Sequence, residues 1–306
     1  MTPSLRFSLL LLFYFVTSSA LAEPLLWRVD NSETGGRAYL FGSVHFGTEA
    51  LYPLPDVVEE AFSASEELVV ELDMAAVAPN IAAQTMRQQG RYIDGDSLYQ
   101  HLDGDTLSLL ANACLELGLP FTALEYLKPW LVAVQLTAFQ VRQAGFSDEL
   151  GVDRHFIERV KLGTGPGPAV LIELETFEQQ LSIFSALSDD QQLQFLRQAL
   201  TEFEHSPAQL LQILKAWQAG DAQALENTIQ QGFNTDENAS MLYELIFERR
   251  NQSMSQNIQR MLDDGRQLFV VVGVGHLVGE GGLAERLSQS GQKVRIVSRR
   301  ESLKQH

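Results

Sequence analysis

Cysteine and positive charge are what this sequence has least of: one Cys in 306 residues, and 22 Lys and Arg against 39 Asp and Glu. A single thiol cannot close an intramolecular disulfide, so no disulfide scaffold underlies the fold. Cys114, within Leu109-Leu-Ala-Asn-Ala-Cys-Leu115, reads as a small apolar side chain on a helix face. A net charge of −17 gives little purchase on phosphate backbones or anionic lipid, so nucleic acid is not an expected partner. Beyond the first residues, no stretch reaches the about 20 apolar residues of a membrane span without a charge or a glycine. Short-period repeats are missing too, which excludes a solenoid.

The beginning of the chain is a different matter. Arg6 precedes an apolar stretch from Leu9 to Val16, and Ala20-Leu21-Ala22 supplies a small-x-small cleavage pattern. The sequence therefore predicts a signal peptide over 1–22, a mature chain from Glu23 and a periplasmic or secreted location. Glu23 stands where a lipid-anchored chain would carry cysteine, so no stable membrane insertion is expected after cleavage. Residues 23–306 read as a single domain; with 45% apolar residues in the full chain, that length can bury one large core or two smaller ones.

Runs of β-formers predict strands at Leu25–Val29, Ala38–Phe41, Glu67–Leu72, Ala169–Leu174, Leu268–Val272 and Lys293–Val297. Asn31-Ser-Glu-Thr-Gly-Gly36 between the first two marks a hairpin-type loop. The intervening segments, about 75–163 and 176–261, carry helical spacing such as Leu107, Leu110, Ala111, Cys114 and Leu193, Leu196, Leu200. Pro120 and Pro129 break the first of them, and Gly163-Thr-Gly-Pro-Gly-Pro168 separates it from the next strand. The expected fold class is α+β (mixed α/β), a central mixed β-sheet with large helical insertions.

Two of these strands end in the same pattern, Gly42-Ser-Val-His45 and Gly273-Val-Gly-His276. A histidine just past a strand projects from the carboxyl end of the sheet, where open α/β sheets gather ligands, and two imidazoles there can share one metal ion. Such an ion needs a carboxylate as well if it is to keep an open position for water. Glu71 ends the strand after the first motif, and Glu173 and Glu175, two apart at the end of another, share a side if that strand persists.

The chain resembles the TraB/GumN family, whose relatives include Tiki-type metalloproteases. The resemblance rests on Tyr39-Leu-Phe-Gly-Ser-Val-His45, Glu71-Leu-Asp73, Gly151-Val-Asp153, Leu174-Glu-Thr176 with Glu178-Gln179, Arg250-Asn251 with Met254, and Val272-Gly-Val-Gly-His-Leu277, in that order. It implies metal-dependent hydrolysis at paired G-x-x-H motifs, with His45, Glu71 and His276 as ligands of a divalent ion, Mn²⁺, Co²⁺ or Zn²⁺. The substrate would be a peptide or a small ester. Glu175 is then a candidate general base or a carboxylate that orients an imidazole. Arg250 and Asn251 are candidate donors to a developing oxyanion, and Asp153 is expected to brace a helix. Two other readings stand beside this one: a metal-free, esterase-like hydrolase with histidine as general base, and a non-catalytic periplasmic accessory in export or polysaccharide assembly.

Overall fold

The computed structural model describes residues 24–93, 95–233 and 237–298, so the leader expected over 1–22 lies outside the described residues. The strands are β1 Leu26–Asp30, β2 Arg37–Ser43, β3 Glu67–Val70, β4 Val170–Glu173, β5 Gln267–Gly273 and β6 Lys293–Ile296. They form one six-stranded sheet in the order β4-β3-β5-β2-β1-β6. The hairpin expected at Gly35-Gly36 is present, with β1 antiparallel to β2 in the register Asp30↔Arg37; β6 adds antiparallel to β1. The neighbours β2/β5, β5/β3 and β3/β4 all run parallel.

That topology decides where the chemistry can be. Four parallel strands put their carboxyl ends on one rim, with β5 seated between β2 and β3. Parallel strands are covered on both faces and so read as unbroken apolar runs: Leu268 to Val272 of β5 and Leu68 to Val70 of β3 are buried throughout. The outer strand β6 is mostly exposed and β4 is half-exposed, and β6 carries Lys293 and Arg295 on its edge, which discourages pairing with another chain.

The helices are α1 Asp56–Ser63, α2 Pro79–Gln89, α3 Gly104–Leu117, α4 Pro129–Gln143, α5 Val152–Leu162, α6 Phe177–Ser185, α7 Asp189–Thr201, α8 Ser206–Ala219, α9 Ala222–Gln231, α10 Glu237–Tyr243, α11 Arg249–Asp263 and α12 Leu283–Gln289. Their ends follow local chemistry. Asp103 accepts from the Thr106 N–H at 2.7 Å to start α3, Gly118 ends it at φ 66°, and Pro129 opens α4. Thr176 with Gln179 and Ser188 with Gln191 form capping boxes on α6 and α7.

Two hydrophobic cores result. One surrounds the sheet; the other joins α3, α4, α6 and α7 around Leu110, Trp130, Leu136 and Leu196, and buries Cys114 as the sequence predicts. Phe156 of α5 packs against Phe62 of α1 and Phe269 of β5, both at 4.9 Å between ring centroids. Aromatic pairs of this kind add about 0.5–1.5 kcal/mol each beyond buried area, and these two anchor α5 over the sheet. Among the described residues, no helix is long and apolar enough to cross a membrane.

Candidate functional site

The three proposed ligands leave adjacent strands at the same rim. β2 ends at Ser43 two residues before His45, β3 ends at Val70 immediately before Glu71, and β5 runs through Gly273 into a single 3₁₀ turn that contains His276. Gly273 is the point they surround. A Cβ there would lie 3.2 Å from Glu71 Oε1, 3.4 Å from His45 Nε2 and 3.6 Å from His276 Cδ2, so the absent side chain leaves a cradle between them. Glu71 Oε1 also accepts from the Gly273 N–H at 2.6 Å and stands 3.8 Å from His276 Nε2.

Each imidazole is held through its other nitrogen. His276 Nδ1 meets Asn251 Oδ1 at 2.7 Å, and Asn251 Nδ2 donates to the Gly281 carbonyl at 3.0 Å. Because the amide must donate to Gly281, its oxygen faces the ring; His276 is thereby the donor at Nδ1, with the Nε2 lone pair turned to Glu71. His45 Nδ1 meets Asp153 Oδ2 at 3.2 Å. Asp153 arrives there because the start of α5 docks on the β2 turn: the Val152 N–H donates to the Val44 carbonyl at 3.0 Å. A Cβ on Gly151 would stand 2.5 Å from the His45 carbonyl oxygen, so only glycine allows that approach. Asp153 therefore braces a histidine, where the sequence reading has it bracing a helix. The Gly151-Val-Asp153 string was the available signal, but its partner is 108 residues away.

Arg250 occupies the middle of the site from the first turn of α11. Its Nη2 donates to Glu71 Oε2 at 2.5 Å and to Glu175 Oε2 at 2.7 Å, its Nε to Glu175 Oε1 at 2.8 Å, and its Nη1 to the Ile246 carbonyl at 3.1 Å. Those bonds commit most of a guanidinium's donors. A π-helical turn, Glu244–Glu248, precedes α11; such turns re-aim the residues that follow them. Here consecutive residues serve different groups, Arg250 the two carboxylates and Asn251 the histidine.

Three expectations change with this geometry. Glu173 and Glu175 do not share a side, because β4 ends at Glu173, whose Oε1 accepts from the Asp73 N–H at 2.7 Å while Glu175 turns to Arg250. A carboxylate gripped at both oxygens by arginine, with Gln180 donating at 3.2 Å as well, is arranged to support Arg250 more than to accept a proton. Arg250 and Asn251 in turn spend their donors on protein groups and act here as positioning residues. His155 packs on Tyr52, away from the Gly273 cradle.

The two histidines differ in charge preference. Burial drives His276 down to about 4, with Arg250 adding to the effect against the pull of Glu71. Desolvation acts in the same downward direction on His45, but the hydrogen bond and charge of Asp153, with Glu71 behind them, carry it up to about 9. Burial would raise Glu71; attraction from His276, His45 and Arg250 and the Gly273 N–H hold it well below the usual carboxylate range.

The fit of this donor set to a metal ion is one of kind and placement. Glu71 Oε1, His45 Nε2 and the His276 ring edge border the cradle over Gly273, with His276 Nε2 3.8 Å from that oxygen; once His45 gives up its Nε2 proton, this is the combination of nitrogen and oxygen donors that divalent first-row ions accept. Among the described residues, no three His, Cys, Asp or Glu side chains are drawn together tightly enough to hold a metal as they stand. His45 is the adjustable member, with 55% of its side chain exposed against 4% for His276.

A family model for the TraB/PrgY/gumN family matches residues 25–296. The chain belongs to the TraB/PrgY/gumN family. Among curated proteins it is similar to the uncharacterized protein YbaP of Shigella flexneri and to that of Escherichia coli (strain K12), each 27% identical over 266 residues, covering 85% of this chain and 91% of the relative. An uncharacterized protein of Treponema pallidum (strain Nichols) is 24% identical over 191 residues, 61% of this chain and 53% of that protein. No solved structure matches significantly.

Proposed function

We propose that this family member is a metal-dependent hydrolase, a peptidase, that works in the periplasm or outside the cell. The observation that carries the reading is the meeting of His45, Glu71 and His276 at the carboxyl ends of adjacent strands, around a glycine whose missing side chain leaves room between them. His45 and His276 would hold the ion through Nε2 and Glu71 through Oε1. Asp153 and Asn251 fix the rings through Nδ1, a support that typically changes metal affinity or activity by about 10–100-fold when removed. Arg250 holds Glu71 in place and ties it to Glu175. The bound ion would supply Lewis acidity towards a carbonyl and make a water more acidic at neutral pH. The location rests on the leader pattern at Arg6, Leu9 to Val16 and Ala20 to Ala22.

The test is metal analysis of protein purified without chelator or histidine tag, joined to a peptide-library digest read by mass spectrometry with Mn²⁺, Co²⁺ or Zn²⁺ restored in turn. His45→Ala and His276→Ala should each lose the ion and the cleavage. Gly273→Ala is the sharper variant: the backbone there, φ −50° and ψ 134°, accepts alanine, while the new Cβ fills the cradle. It should stay folded and bind metal poorly. Equal metal content in all three variants rejects the shared site. Cleavage that survives chelation favours a metal-free hydrolase built on the His45–Asp153 pair, the contact that recommends that second reading.

A further inference from the structure

Beside the Gly273 cradle opens a cleft of about 570 Å³ that runs between the sheet rim and the helical core. His45, Glu71 and Arg250 line its polar end. One wall is apolar, made by Trp130, Leu131 and Val134 of α4 and Phe177, Leu181 and Phe184 of α6. The other carries charges that already have partners: Lys161 with Asp73, Arg142 with Asp148, and Arg154 with Glu158. We infer that the cleft selects a peptide with a bulky apolar side chain beside the hydrolysed bond, the side chain seated against α4 and α6; this rests on the hydrolase reading above.

The physical argument has two parts. A charged side chain seated against α4 and α6 would lose its hydration and find no opposite charge on that apolar wall, which is costly; an apolar one releases water from both surfaces. A peptide fits the two walls better than an alkyl chain does. Its backbone brings a donor and an acceptor per residue to the polar wall while one side chain fills the apolar one, and the volume lies within the usual range of about 300–1,000 Å³ for pockets that enclose ligands.

Binding can be separated from turnover. The mature chain, held in chelator, is titrated with Ac-Ala-Ala-Xaa-Ala-Ala-NH₂ in which Xaa is Phe, Leu, Ala or Asp, and with decanoate as an alkyl probe. Phe and Leu should bind about tenfold or more tightly than Ala, the scale of discrimination that apolar pockets reach, and Asp more weakly still. Val134→Trp, at a half-buried lining position, should erase the preference for Phe over Ala by filling the space. Ile183→Glu, half-buried in the same lining, is the second variant, and both are checked for unchanged circular dichroism. Equal affinity across the Xaa series in folded protein overturns the inference, as does binding of decanoate with none of the peptides. An apolar preference without metal-dependent cleavage keeps the subsite and sinks the hydrolase; cleavage indifferent to Xaa does the reverse.

Discussion

The two G-x-x-H ends of this chain look alike as strings and differ as environments. Both follow a parallel strand and both rings border Gly273, His45 through Nε2 and His276 through Cδ2, with His276 Nε2 3.8 Å from Glu71 Oε1. His276 is buried, held by a neutral amide and driven towards its uncharged form. His45 is more than half exposed, held by a carboxylate and driven towards its charged form. One motif thus supplies a buried, neutral nitrogen and the other an exposed, charge-tuned one. The four-residue motif does not decide the electrostatics of a histidine; the group on Nδ1 and the depth of burial do.

The largest effect should come from the residue that stabilises the ground between them. Arg250→Ala leaves the buried carboxylates of Glu71 and Glu175 without their shared cation, and removing one member of such a cluster costs about 3–5 kcal/mol. Urea unfolding measures it, and a loss below about 1 kcal/mol would place the pair in the class of exposed ion pairs. Next, Asn251→Ala should destabilise by about 1–3 kcal/mol, because it strands the buried Nδ1–H of His276, whereas Asp153→Ala should cost less, since water reaches His45. Similar losses in the two variants would erase the contrast between the motifs.

The last effect, spread over several pH units, is in the pH profile of metal-free protein. His45 is raised from 6.5 to about 9, so its stabilisation is complete below pH 6.5 and is lost as pH climbs through 9. His276 is lowered from 6.5 to about 4, so its contribution is complete above pH 6.5 and is lost as pH falls through 4. His45→Gln should flatten the alkaline flank of the unfolding profile and His276→Gln the acid flank. NMR titration of both rings checks the assignment, and coincident midpoints would break it.

Much of the fold was legible because strand identity is written locally. Runs such as Leu-Phe-Val-Val-Val at 268–272, and the Gly35-Gly36 turn, declare themselves without reference to the rest of the chain. The carboxyl-end placement of His45, Glu71 and His276 followed from the same runs. Their partners were not legible. Asp153 meets His45 across 108 residues and Arg250 meets Glu71 across 179, and no local periodicity encodes a pairing at that distance. Glu175 misled for a related reason: its spacing from Glu173 implies a shared face only while β4 continues, and the strand stops first.

By itself, then, the sequence determined which segments become strands and helices and which chemical groups stand at the strand ends, because propensity, periodicity and turn residues act over a few neighbours. The tertiary structure decided the strand order that seats β5 between β2 and β3, the choice of Asp153 for one ring and Asn251 for the other, and the commitment of Arg250 to two carboxylates. Those depend on how helices dock on the sheet and on which groups burial leaves in need of a partner, and both are settled only when distant parts of the chain compete for the same space.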